Sequence, residues 1–422
     1  MPQVVVGTRS GDPYKNPELF RWVGSMEGVP DWADPAETQD EKAAWRPWQR
    51  RGNHVFELIG TTLPGVALAA ALALLSGWAA EAIGVDVLGF ERTPLSPILV
   101  AILLGIGVRN SLGLPGVYEA GLQLCLKRIL RIGVALLGMR LSLSAAGAIG
   151  LVAVPIVIGC IASALLLVSW INRALGQPRR LGTLIAVGTA ICGNTAIVAT
   201  APVIGATDDE VSYAVGCITV FGLLALMGYP YLSYWLFAGD PALAGLFLGT
   251  AIHDTAQVAG AGLVYVQQFS APAALDTATV TKLVRNLFML GVIPLVAVLY
   301  HRGGPEDGPR RLIRPRFGQA VPLFVFGFVA MTALRTVGDL GGTAFGVLSH
   351  ESWQAGIHAT GRLASLCLVV AMASVGLGTS FARLRTLGLK PLAVGLCAAL
   401  LVGGVSFALI RVVTPVAGSL GF

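Results

Sequence analysis

Apolar runs of about twenty residues recur from Thr62 to the C-terminus, with polar clusters between them. As a helix, each run is long enough to cross about 30 Å of hydrocarbon. Their boundaries predict about eleven spans, over residues 60–84, 95–109, 118–141, 147–171, 182–205, 210–238, 241–267, 278–300, 317–337, 357–380 and 388–414. The short alternating segments of a membrane β-barrel are absent. The pattern describes an all-α polytopic membrane protein, with a transmembrane domain over 56–422 and a polar arm over 1–55. The arm lacks the apolar stretch of a signal peptide. Its Trp45, Arg46, Trp48, Arg50 and Arg51 suit a cytosolic segment lying along the membrane surface.

Composition sharpens this picture. Of 422 residues only 12% are charged and 55% are hydrophobic, against about 25% charged in soluble domains. The net charge of +6 would suggest nucleic acid on a soluble domain. Here the basic residues gather between spans instead, at Arg173, Arg179 and Arg180, at Arg302, Arg310, Arg311, Arg314 and Arg316, and at Arg383, Arg385 and Lys390. Even numbers of spans separate those loops. One topology therefore puts all three in the cytoplasm, with the N-terminus inside and the C-terminus outside. The charge is topological, and no nucleic-acid partner is expected. Cys125, Cys160, Cys192, Cys217, Cys367 and Cys397 lie in apolar segments without CxxC spacing, which argues against a disulfide framework or a metal site. No phosphate-binding loop motif occurs, so ATP-driven pumping by this chain alone is not expected; no cofactor is expected either.

Two spans are interrupted by polar residues. GTAICGNTAIVATA (Gly188 to Ala201) carries Cys192-Gly193-Asn194-Thr195 at its centre, and GTAIHDTAQVAGAG (Gly249 to Gly262) carries His253-Asp254-Thr255 and then Gln257. Gly193 favours a break, and Asn194 and Thr195 can cap the half-helix that resumes. Broken helices expose backbone N–H groups and a positive dipole end at membrane depth, where bare backbone is tolerated only in protein or along a wet cavity. The plainer alternative is a close helix contact made by small residues. An ionisable residue at the centre of a bilayer helix costs roughly 2.5–3.5 kcal/mol on insertion scales. His253 and Asp254 therefore read as groups that exchange a coupling proton, with a structural His–Asp network as the bland rival. Gln257, one turn beyond His253, is expected to share its face. Lys282 and Arg285, spaced i,i+3 in TVTKLVRNLFML, either face the interior and hold an anion or Asp254, or snorkel toward headgroups.

A second pattern is internal. LLGMRLSLSAAGAIG (Leu136 to Gly150) matches SVGLGTSFARLRTLG (Ser374 to Gly388), aligning Gly138 with Gly376, Ser142 with Ser380 and Gly150 with Gly388. The first copy exits outward and the second inward, as in inverted-repeat transporters. The two interrupted spans have one span between them, which makes them parallel, whereas an inverted repeat predicts antiparallel partners. The sequence leaves that open.

The stretches LKRILRIGVALLGMRLS, GTAICGNTAIVATAPVI, GTAIHDTAQVAGAG, TKLVRNLFM and AMASVGLGTSF stand in one order between Leu126 and Phe381. In these the chain resembles the YeiH family, also described as the sulfate exporter family. Asn194 departs from the small residue usual at that position in the family. The resemblance implies a multi-spanning inner-membrane transporter of the bile acid–sodium symporter type of fold, carrying sulfate, sulfite or a related oxyanion or organosulfonate.

Taken together, the expectation is an inverted-repeat secondary transporter with two discontinuous helices that couples export of a small anion to protons, and not an enzyme. Cys192, Gly193, Asn194, Thr195, Thr255, Gln257, Lys282 and Arg285 would bind the anion, and His253 and Asp254 would carry the proton. An anion channel and a sodium-coupled organic-anion transporter are the rivals. Besides the anion, its partners would be membrane lipids and the coupling ion, with a homo-oligomer left open.

Overall fold

A computed structural model describes residues 47–87, 96–302, 323–340, 345, 347, 349–384 and 389–419. Among them every regular element is a helix. The chain runs through α1 (Pro47–Glu81), α2 (Pro97–Ser111), α3 (Glu119–Leu124), α4 (Leu130–Leu137), α5 (Leu143–Ser163), α6 (Ser169–Ala174), α7 (Arg179–Ala190), α8 (Asn194–Ile204) and α9 (Asp208–Leu236). It continues through α10 (Pro241–Ala251), α11 (Thr255–Phe269), α12 (Pro272–Leu287), α13 (Met289–Arg302), α14 (Leu323–Gly338), α15 (His350–Gly378), α16 (Phe381–Leu384) and α17 (Leu389–Ser419). π-helical turns at Cys125–Ile129 and Ala164–Val168 join α3 to α4 and α5 to α6 without interrupting the rod.

Five helices among the described residues are long and apolar enough to cross a membrane, and the pair α12 and α13, bent by 41° at Phe288, would make a sixth. Residues 1–46 of the arm expected over 1–55 lie outside the described part, and its remaining residues, Trp48, Arg50 and Arg51 among them, fall in α1. Arg310, Arg311, Arg314, Arg316 and Arg385 also lie outside it.

Local chemistry explains where helices begin. Thr207 Oγ1 accepts from the Glu210 amide (3.3 Å) while Glu210 Oε2 accepts from the Thr207 amide (2.8 Å). This reciprocal cap satisfies two of the donors a helix start leaves over. Asp240 Oδ1 accepts from the amides of Ala242 and Leu243 ahead of α10, whose first residue, Pro241, has no N–H to lose.

The helices pack as two groups. In one, α1, α2, α3, α4, α14 and α15 lie against one another; in the other, α5, α7, α9, α10, α11, α12 and α17 do. Among the described residues one buried apolar cluster runs across the seam, from Ile98, Leu130 and Leu368 to Phe247 and Val264, and polar links cross it as well. Ser96 Oγ donates to Gln267 Oε1 (2.6 Å), and Arg140 pairs with Asp276 (3.1 Å). Arg140 is thus a cross-link between the groups.

Candidate functional site

Both interrupted spans are broken helices. The first stops at Ala190 and restarts at Asn194, with Gly193 between them at φ 70°, ψ −122°. An L-residue with a side chain rarely adopts that backbone, which is why glycine stands there. The second stops at Ala251 and restarts at Thr255. The two breaks meet. A methyl placed on Gly193 would stand 3.3 Å from Asp254 Oδ2 and 3.4 Å from Asp254 Cα.

Where α7 and α10 stop, their last carbonyls lose their helical partners. Lys282 and Arg285 of α12 supply replacements. Lys282 Nζ donates to the carbonyls of Ile191 (2.8 Å), Ile252 (3.2 Å) and His253. Arg285 Nε donates to Ala190 (2.7 Å), Nη1 to Thr250 (2.7 Å) and Ile252 (3.2 Å), and Nη2 to Thr189. Both cations are buried, at 1% and 0% exposure. They lie at two helix C-termini, where positive charge is favoured. Asn286 completes the face, its Nδ2 donating to Thr255 Oγ1 (3.2 Å). Positions 282, 285 and 286 share one side of a helix, so α12 holds both breaks from behind. α10 can approach α12 closely because Gly249 faces Thr281 and the Ala278 carbonyl; a Cβ at Gly249 would lie 2.7–2.8 Å from them.

In front of the breaks is a cavity of about 130 Å³. It sits at the seam between the two helix groups. The polar lining comes from Asn194, Thr219, Asp254 and Gln257 on one side and from Arg109, Glu119, Gln123, Ser374, Thr379 and Ser380 on the other. Asp254 caps α11, with Oδ1 accepting from the Ala256 amide (2.8 Å), and Gln257 Oε1 accepts in return from the Asp254 amide (3.3 Å). No side chain caps α8. One carboxylate thus lies between two half-helix starts, each worth about half a positive charge. Asn194 Nδ2 reaches Thr219 Oγ1 and Gln257 Nε2 reaches the Thr219 carbonyl, both at 3.5 Å, while Asn194 Oδ1 is buried with no partner among the described residues.

The expected site residues separate here. Asn194, Asp254 and Gln257 line the cavity. Cys192, Gly193, Thr195, His253, Thr255, Lys282 and Arg285 are not among its lining. Cys192 points Sγ toward Met289 Sδ (3.6 Å). His253 is buried beside Arg285 and Lys282, so the adjacent His–Asp pair diverges at the break. Gln257 does not share a face with His253 as expected; it is the third residue of α11 and closes the cap on Asp254. Arg109, Glu119 and Gln123 were missed: Arg109 ends the apolar run of α2 and looks like an ordinary boundary residue. Ser374, Thr379 and Ser380 lay in the repeated motif, but nothing in the spacing marked them as lining.

A family model described as Conserved hypothetical protein 698 matches residues 64–395. The chain belongs to this family, the YeiH family. It is similar to a UPF0324 membrane protein of Agrobacterium fabrum, 32% identical over 82% of this chain and 92% of the relative. A UPF0324 membrane protein of Bradyrhizobium diazoefficiens is 29% identical over 84% and 94%, and one of Bacillus anthracis 30% over 79% and 89%. No solved structure matches the chain. The YeiH family members it resembles are thus named as membrane proteins, in keeping with the long apolar helices here.

Proposed function

We propose that the chain is a secondary transporter of a small anion, sulfate, sulfite or an organosulfonate, and not an enzyme. It would work in the inner membrane with eleven spans, two of them discontinuous, arranged as an inverted repeat with the N-terminus in the cytoplasm. The observation that supports this is Asp254, a carboxylate at the meeting of two half-helix starts and open to a cavity that carries polar groups on both banks. The ionisable lining is Arg109, Glu119 and Asp254. With Asp254 ionised, the two carboxylates offset Arg109 and the two helix starts, about half a charge each. With Asp254 protonated, about one positive charge is left over, and an anion replaces the carboxylate at the amide ends. Proton and anion then bind together and move in one direction, set by their combined gradients. Lys282 and Arg285 act as positioning residues behind the site.

The test is uptake and efflux of labelled sulfate and sulfite by liposomes holding the full chain, under an imposed pH gradient. Transport that follows the gradient in the wild type and loses that response in Asp254→Asn supports the reading. Transport indifferent to the gradient would remove it. A second reading, sodium coupling, is favoured by the unpartnered Asn194 Oδ1 beside Asp254, since oxygen ligands suit a hard cation. Replacing sodium by choline separates the two, because only sodium coupling loses transport.

A further inference from the structure

A second cavity, about 280 Å³, lies between α5–α6, α7 and α13, away from the breaks. Its walls change character along their length. Leu165, Leu166, Val296 and Leu299 form an apolar floor, and Ser169, Asn172, Gln177, Thr183, Arg173 and Arg179 a polar end. Leu166 and Leu299 are 71% and 55% exposed, so the floor continues onto the surface that faces acyl chains. Trp170, also exposed, stands on the neighbouring turn, as tryptophans do at a membrane interface.

The polar end is built. Arg179 Nη2 donates to the Tyr300 carbonyl (2.9 Å) and its guanidinium lies 4.3 Å over the Tyr300 ring, which fixes its place at the mouth. Arg173 is exposed across the loop on α6. Asn172, 2% exposed, ties that loop down, with Nδ2 donating to the carbonyls of Gln177 (3.2 Å) and Pro178 (3.0 Å). Its Oδ1 is buried without a partner among the described residues. A buried acceptor in that state costs free energy unless something donates to it.

We propose that this crevice is a binding site for an anionic phospholipid whose headgroup carries a hydroxyl. Two guanidiniums match a phosphodiester, which arginine holds by paired hydrogen bonds. The apolar floor takes the upper part of an acyl chain, and the headgroup hydroxyl donates to Asn172 Oδ1. A basic pocket between helices at a membrane surface suits such a headgroup, while an ammonium headgroup would be repelled by the arginine pair. The site is independent of the transport reading, since none of its residues lines the cavity at the breaks.

The experiment is thermal unfolding of the full-length chain in detergent, titrated with phosphatidylglycerol, phosphatidylcholine or inorganic phosphate. Phosphatidylglycerol is expected to raise the melting temperature at the lowest concentration, and Arg173→Gln to weaken that response at least tenfold. Arg173 is an exposed surface residue, so this variant keeps the fold. Arg179→Gln should weaken it too, and a Leu166→Asp variant, which spoils the floor but spares the cations, should do the same. Equal stabilisation by phosphatidylcholine overturns the charge selectivity. Equal stabilisation by phosphate makes this a free-oxyanion site and overturns the lipid. An unchanged response in Arg173→Gln overturns the site itself.

Discussion

The carboxylate of Asp254 lies against the backbone of Gly193, so that a methyl on the glycine would touch Oδ2 at 3.3 Å. The two residues are far apart in the chain, and each sits in the break of a different helix. Neither break is therefore a local matter, and the first prediction concerns the glycine. Gly193→Ala forces a side chain onto φ 70° and presses it toward Asp254 and Ile218. Such strain costs about 1–3 kcal/mol. A lower melting temperature in detergent and loss of transport are expected, whereas Gly205→Ala, also at a positive φ (65°) but with open space around it, should lose some stability and spare transport. Equal behaviour of the two variants would contradict the close approach.

Asp254 lines the cavity and His253 does not. Anion binding should strengthen as pH falls through the range in which Asp254 takes up its proton, and weaken as pH rises. Asp254→Asn is expected to flatten that dependence, and His253→Gln to keep it. Isothermal titration with sulfite across a pH series reads the difference. A flat profile in His253→Gln and a sloping one in Asp254→Asn would reverse the roles.

Cations in front of and behind the breaks should fail differently. Arg109→Gln leaves both breaks untouched and removes a charge from the cavity lining together with a part-buried bond from Nη1 to the Leu114 carbonyl (3.3 Å), so anion affinity should fall about tenfold or more, or about 1.4 kcal/mol, with a smaller drop in melting temperature than a variant at the breaks. Arg285→Met strips donors from the carbonyls of Thr189, Ala190 and Thr250, while that of Ile252 keeps Lys282. Each buried acceptor left alone costs about 1–3 kcal/mol, so this variant should melt far below the wild type. If Arg285→Met melts normally and only binding suffers, the charge belongs to the anion after all.

Gly249→Val tests the contact between α10 and α12. The added atoms meet Thr281 and the Ala278 carbonyl, which is backbone and yields little. Overpacking of this kind costs about 1–3 kcal/mol. Because the same helix pair carries the second break, reduced stability and reduced transport should appear together.

Outside the spans, burial pushes the Asp339 carboxyl up, but hydrogen bonds from Trp353 Nε1 (2.8 Å) and Arg335 Nε (2.6 Å), with the charges of Arg335 and His350, outweigh it and hold it below its usual range. A folded-state value below the unfolded one gives stability above the usual aspartate range that is lost as pH falls through the folded value. Trp353→Phe removes the indole donor. Its melting temperature should fall less than that of the wild type between about pH 6 and about pH 3.

The helices and both breaks were legible because their causes are local. Apolar run length marks a span, and the polar residues beside Gly193 and at His253-Asp254 mark the breaks, whereas the cap that Asp254 and Gln257 form on α11 was not read, because Gln257 was expected on the face of His253. The use of Lys282 and Arg285 was not legible. Their spacing shows that they share a face, but what they meet is decided by two helix ends that converge from elsewhere in the chain. Arg109 failed for the same reason: only the packing of α2 against α15 brings it to the cavity. The parting of His253 from Asp254 depends on the backbone of Ile252 and Asp254, both extended, which adjacency in sequence does not encode.

Because one short stretch of α12 grips both interruptions at once, the crossover cannot be opened one strand at a time. Prying either half-helix loose would strand a guanidinium or an ammonium in a dry interior. If the chain transports as proposed, the cheaper motion is for the crossover to travel whole, carried with its own bundle, past the boundary marked by Ser96–Gln267 and Arg140–Asp276. Access from one side of the lipid or the other would then be governed by that boundary, and each stroke would part Asp254 from Arg109 and Glu119, which face it from the opposite bank.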